Sequence, residues 1–146
     1  MPKKIYQSEP ISLPEVKKLL FNRAKEGELS YMQRIALEHA QLVSRISAED
    51  SNKLIETLVE KYRLSDKGAI TLANYMPDSI DEIRQLLGKD AASIETETLQ
   101  SILDELSTIS LLDEKERFMD LDKIENEALS EEEKEIDEEM IPEDLR

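Results

Sequence analysis

Six times between Ser12 and Thr96 a hydroxyl-bearing residue stands just ahead of an apolar series with helical spacing, which restricts the chain to a succession of capped helices. At such a position the side-chain oxygen accepts a backbone N–H that the first helical turn leaves unpaired. Ser12 with Glu15 forms a capping box, and Ile11 and Val16 on either side suit a hydrophobic staple. The spacing predicts a first helix with Val16, Leu19, Leu20 and Ala24 on its apolar side, closed at Gly27 by a left-handed cap. Leu13 precedes Pro14, so its first turn is expected to be distorted. Ser30 with Gln33 opens a second helix, about Met32 to Val43, with Met32, Ile35, Ala36, Ala40 and Val43 on one face.

The pattern continues. Ser47, with Asp50 in the first turn, introduces a helix carrying Leu54, Ile55, Leu58, Val59 and Tyr62. Ser65 precedes a short, small-residue-rich helix with Ala69, Ile70, Leu72, Ala73 and Met76, stopped by Pro77. Ser79 with Glu82 makes another capping box ahead of Ile80, Ile83, Leu86 and Leu87, ending at Gly88. Thr96 is expected to cap a last helix with Leu99, Ile102, Leu103, Leu106 and Ile109 inward. Connections this short imply antiparallel neighbours, so the expected fold is all-α, a compact multi-helix bundle. Three Gly and five Pro are too few for the turns of a sandwich or barrel.

At 146 residues the chain supports one domain with a real core. With aromatics at 4% and no Trp, that core is built from Leu, Ile, Val and Ala. There is no Cys, which removes disulfides, thiolate metal sites and cysteine nucleophiles together and suits a reducing compartment. No leader-like apolar run opens the chain, and no stretch approaches the roughly 20 apolar residues of a membrane span. A soluble, cytoplasmic protein is expected.

Catalytic signals are missing. His39 is the only histidine and has no HExxH or Glu-x-x-His neighbour, so a structural or surface role is expected for it. Neither a phosphate-cradling GxxxxGK[ST] loop nor a GxGxxG turn occurs, and no cofactor is indicated. Asp120, Asp122, Asn126 and Glu131 have the spacing of a calcium loop, but Ile124 and Glu125 stand where an oxygen ligand and a turn-forming Gly belong. Lys18 and Lys25, seven apart on the first helix, make a modest positive strip that suits a weak RNA contact. A solvated helix face explains the same strip, and no aromatics alternate with these charges.

The net charge of −15 is concentrated at one end. Residues 113–146 hold sixteen Asp or Glu against five Lys or Arg, whereas residues 1–112 hold eighteen against fourteen. Such an extension repels phosphates and anionic membranes. It is expected to be partly helical or disordered, with Phe118, Leu121, Ala128 and Leu129 able to share one helical stripe over about 114–129. At the other end, residues 5–11 are too short for a helix and read as a lone extended strand. Such a segment is either a frayed terminus or an addition to another protein's sheet edge.

The order ISLPEVKKLL, RAKEGELSYMQRIALEHA, LIETLVE, AITLANYMP and DSIDEIRQLL resembles the F-type stalk subunit of archaeal RNA polymerase, the counterpart of the fourth subunit of the eukaryotic enzymes. GELSY at Gly27 to Tyr31 and MPDSIDEIR at Met76 to Arg84 are its most specific elements. The resemblance implies residues 1–112 as a helical domain of this type, with an extended arm at 1–11, a helical hairpin at 12–46 and an HRDC-like bundle at 47–112. It also implies a non-catalytic subunit of DNA-directed RNA polymerase that pairs with the E-type subunit, as a heterodimer, to form the polymerase stalk. That stalk serves initiation, elongation and termination, and nascent RNA is met mostly through the partner. Ile5, Tyr6 and Ile11 of the arm, with Leu13, Val16, Leu19 and Leu20 of the first helix, are the residues expected to meet the E-type partner, although each also suits an intramolecular core. The acidic extension is longer than this family leads one to expect. A free-standing acidic adaptor or chaperone for basic proteins is the alternative.

Overall fold

The computed structural model describes residues 7–118, and the fold among them is all helical. α1 (Leu13–Glu26), α2 (Tyr31–Val43), α3 (Ala48–Tyr62), α4 (Asp66–Tyr75) and α5 (Ile80–Leu87) follow one another through short links. A 3-10 turn (Gly88–Ser93), α6 (Thr96–Ser107) and the one-turn α7 (Glu114–Arg117) complete the order. The serine caps form as the spacing requires: Ser12, Ser30, Ser47, Ser65 and Ser79 each accept the backbone N–H three residues on. Thr96 does not. Glu95 occupies the cap position without a side-chain bond, and Thr96 Oγ1 instead accepts from the Arg84 guanidinium at 2.8 Å, tying α6 to α5.

Gly27 also departs from expectation. Its φ of 164° and ψ of −174° are extended backbone, not a left-handed cap. The chain has to run straight here to carry Leu29 into the hairpin interior before Ser30 starts α2. The left-handed caps fall instead on Arg63 and Met76, and the second of these turns the chain into the helix-terminating Pro77.

Two apolar clusters organise the described residues. The larger draws Leu54 and Leu58 of α3, Ala69, Leu72 and Ala73 of α4, Ile83 and Leu87 of α5, and Leu99, Ile102 and Leu106 of α6 into one core. Leu103 and Ile109 pack at its margin. Across its edge Lys61 Nζ donates to Glu105 Oε1 at 2.8 Å and the Tyr62 hydroxyl donates to the same oxygen at 3.2 Å, joining α3 to α6. The smaller cluster, Phe21, Ala24, Leu29 and Leu37 with Leu20 against it, lies inside the α1–α2 hairpin.

The hairpin is fastened to the larger core by polar contacts at the start of α1. Ser12 Oγ, nearly inaccessible, caps α1 through Glu15 N at 3.3 Å and also accepts the buried Ser51 hydroxyl of α3 at 2.7 Å. Leu13 N donates to Asn74 Oδ1 of α4 at 2.7 Å. One oxygen thus serves both a helix end and a helix–helix contact. Ser12→Ala is expected to cost about 1–3 kcal/mol in urea unfolding, because it strands a buried hydroxyl as well as a cap. Ser30→Ala, on an exposed cap, is expected to cost about 1 kcal/mol. Equal losses for the two variants would show that the Ser12–Ser51 bond adds nothing.

Candidate interaction surface

The hairpin carries apolar residues on both of its sides. On α1, Pro14, Lys17, Phe21 and Ala24 face inward. On α2 the inward face is Leu37, Ala40 and Gln41, continued by Ser44 beyond the helix end. This reverses the face expected for α2, where only Ala40 of the five named residues is buried. Met32 is 71% exposed and Ile35 43%, Ala36 is exposed and Val43 is half-buried. The reason is competition between two usable faces. The inner one contains Gln41 and Ser44 and so is the less apolar by composition, yet Leu37 fits between α1 and α2 while Met32 and Ile35 point outward.

The result is an apolar stripe in water. Tyr31, 77% exposed, is followed one turn on by Ile35 and two turns further by Leu42, 63% exposed, with Met32 and His39 on one flank and Arg34 and Glu38 on the other. Leu19 of α1 and Ile11 of the arm are exposed as well. Of the residues expected to meet a partner, Ile11 and Leu19 are therefore accessible. Leu13, Val16 and Leu20 are half-buried, and Leu20 packs against the hairpin cluster. Ile5 and Tyr6 lie outside the described residues, as does the 120–131 calcium-loop spacing. Residues 7–11 have no regular secondary structure, and the described residues contain no strand edge for them to pair with.

The positive strip on α1 is weaker than its sequence suggests. Lys18 Nζ is paired with Glu49 Oε1 of α3 at 3.0 Å, which holds its pKa above the usual lysine value, while Lys25 is exposed one face-repeat further on. Lys17, by contrast, is buried, and its Nζ donates to the Glu116 carbonyl of α7 at 3.3 Å. Burial pulls its pKa down, and the neighbouring Arg117 charge acts in the same direction against Glu116. Arg117 donates to the Leu42 carbonyl at 2.7 Å, and Leu112 N donates to the Arg45 carbonyl at 2.8 Å. The start of the acidic extension is thus strapped across the hairpin at the C-terminal end of α2.

Nothing in this arrangement assembles reactive groups. Among the described residues no three of His, Cys, Asp and Glu converge as a metal site, and no helix is long and apolar enough to cross a membrane. A cleft of about 450 Å³ between the arm and α3–α4, lined by Glu9, Asn52, Ile55, Asp66 and Ile70 among others, has no nucleophile paired with a base. The organised feature is a surface.

The sequence pattern of the RNA polymerase Rpb4 family matches residues 10–110. The chain belongs to the Rpb4 family. The DNA-directed RNA polymerase subunit Rpo4 of Methanocaldococcus jannaschii is 32% identical over 87 residues, which span 60% of this chain and 75% of that protein. The chain is accordingly a polymerase subunit of the Rpb4/Rpo4 type. The Rpb4 match takes in the whole hairpin with its exposed stripe and all of the larger core. It ends before α7, so the strap and the acidic extension lie outside it.

Proposed function

We infer that this chain is a non-catalytic subunit of DNA-directed RNA polymerase that joins the enzyme through a partner chain, the E-type stalk subunit, and with it forms the stalk that serves initiation, elongation and termination. The observation that carries this reading is the exposed apolar surface of the hairpin, Ile11, Leu19, Tyr31, Met32, Ile35 and Leu42, inside the region that matches the Rpb4 family. Large apolar side chains grouped on one supersecondary element mark a site that another chain covers. The partner surface is therefore Ile11 and Leu19, as read from the sequence, extended by the α2 stripe. Leu13, Val16 and Leu20 support it from beneath, and Ile5 and Tyr6 are kept as partner contacts on the family resemblance alone. RNA contact falls mostly to the partner, since Lys18 is already paired and the extension is anionic.

The test is a binding titration of the full chain with the purified stalk partner. Leu19→Asp and Met32→Asp are each expected to weaken binding about 10- to 100-fold, the range for truncating or charging a central apolar contact, with thermal unfolding unchanged because both side chains are already in water. Affinity that is indifferent to both substitutions would place the contact elsewhere. No binding by the unaltered chain at tens of micromolar would end the stalk reading.

A further inference from the structure

We propose that the cleft between the arm, α3 and α4 receives an arginine side chain of the stalk partner, its stem against Ile11, Ile55 and Ile70 and its guanidinium toward the Glu9 and Asp66 carboxylates. This rests on the stalk reading above and adds to it the charge that the partner must bring.

The cleft is held open by contacts at the start of α1. Ser12 Oγ accepts the Ser51 hydroxyl of α3 at 2.7 Å and Leu13 N donates to Asn74 Oδ1 of α4 at 2.7 Å, so the end of the arm is pinned to both helices. Glu9, Pro10 and Ile11 then make one wall, and Asn52 and Ile55 of α3 with Asp66 and Ile70 of α4 make the others. The volume of about 450 Å³ lies in the range that encloses a compact ligand group.

The lining says what that group is. Its charged residues are Glu9 and Asp66, both acidic, and no Lys or Arg lines the cleft. Among the described residues neither carboxylate has a cation partner, whereas Glu49, Glu38, Glu105 and Asp81 elsewhere in the fold each have one. Glu9 Oε1 accepts only the neutral amide of Gln7, at 2.5 Å. Asn52 gives an amide N–H to Glu15 Oε2 at 3.2 Å, which leaves its own carbonyl oxygen as a further acceptor.

Unpaired acceptors beside aliphatic walls match a guanidinium, which carries five N–H donors and no acceptor. Its flat, weakly hydrated face also lies against isoleucine at less cost than an ammonium does. An anionic group would be repelled, and a purely apolar one would desolvate two carboxylates without replacing their hydrogen bonds. The stalk partner is the source because Ile11 belongs both to the cleft and to the exposed surface that this partner covers, so a chain seated on Ile11 passes the cleft mouth.

The test uses the full chain and the purified stalk partner. Glu9→Gln with Asp66→Asn is expected to weaken binding about tenfold at about 0.1 M salt and to flatten its salt dependence. Glu97→Gln with Asp104→Asn on α6 removes the same charge away from the cleft and should change affinity less than about twofold. All four side chains are exposed, so thermal unfolding should barely move. Because the chain has no Cys, Ile70→Cys can carry a benzophenone probe, which should photocross-link to a partner segment containing an arginine. Replacing that arginine by Ala should cost about the same tenfold, and combining it with the Glu9 and Asp66 substitutions should cost no more than either change alone. Equal losses from the cleft and α6 pairs overturn the proposal, since net charge then explains both. Additive losses overturn it too, as does a probe that attaches only to this chain's own residues, and in each of these cases the stalk pairing stands. An unaltered chain that fails to bind the partner at tens of micromolar overturns the stalk reading and this proposal together.

Discussion

Leu72→Ala is expected to destabilise the chain by about 2–5 kcal/mol, the range for emptying a fully buried leucine site. Leu72 has no exposed surface and sits in the larger core, to which α3, α4, α5 and α6 all contribute. Its own helix explains why the loss should fall high in that range. α4 is short and its other inward residues include Gly68, Ala69 and Ala73, so Leu72 supplies most of the side-chain volume that α4 puts into the core. Its neighbours have little room to settle into the space. A Cβ at Gly68 would already stand 3.1 Å from the Leu87 side chain, which shows how closely α4 and α5 approach. Urea unfolding followed by far-ultraviolet circular dichroism measures the loss. A change below about 1 kcal/mol would mean that the core closes over the site and that α4 is not its centre.

Leu37→Ala is expected to cost a similar amount, about 2–5 kcal/mol, but with a different distribution. Leu37 is fully buried in the hairpin cluster, which among the described residues contains Phe21, Ala24 and Leu29 besides it, with Leu20 alongside. It is the one large apolar side chain that α2 sends into that cluster, and it sets the rotation of α2 on α1. Losing it should release α2 before the larger core opens. Amide exchange across residues 31–43 should then accelerate well beyond that of α6. Because the proposed partner surface lies on the opposite side of the same helix, the variant should also bind the proposed stalk partner at least tenfold more weakly at a temperature where it remains folded. Leu72→Ala, measured at such a temperature, should bind almost normally. Uniform acceleration of exchange throughout the chain would show that the two clusters unfold as one unit.

How legible the fold was depends on the element. The five serine caps were readable because capping is local: an oxygen and an N–H three residues apart need no information from elsewhere. The inward residues of α3, α5 and α6 were readable because each helix has a single apolar side. α2 was not, since both its faces are plausible and the choice depends on the shape of α1 opposite. The surface it presents was therefore found only by seeing which face stayed in water, although the 37–40–41–44 spacing was present in the sequence as the rival. Lys17 is a similar case. A lysine on a mixed face reads as solvated, whereas in the fold Lys17 lies on the inward side of α1 and its Nζ donates to the Glu116 carbonyl of α7.

The sequence by itself determined that this chain is helical, where five of its helices begin, that no cysteine chemistry is available to it, and that its negative charge lies at one end. Those properties depend on neighbours within a turn or on simple composition. Tertiary structure alone decided which side of α2 is inside, that Ser12 serves two helices at once, that Thr96 gives up its cap to hold Arg84, and that residues 112–117 are fastened across the hairpin. Each of these is a contact between residues at least twelve positions apart, and no local spacing records which of several acceptable partners the folded chain will bring within reach.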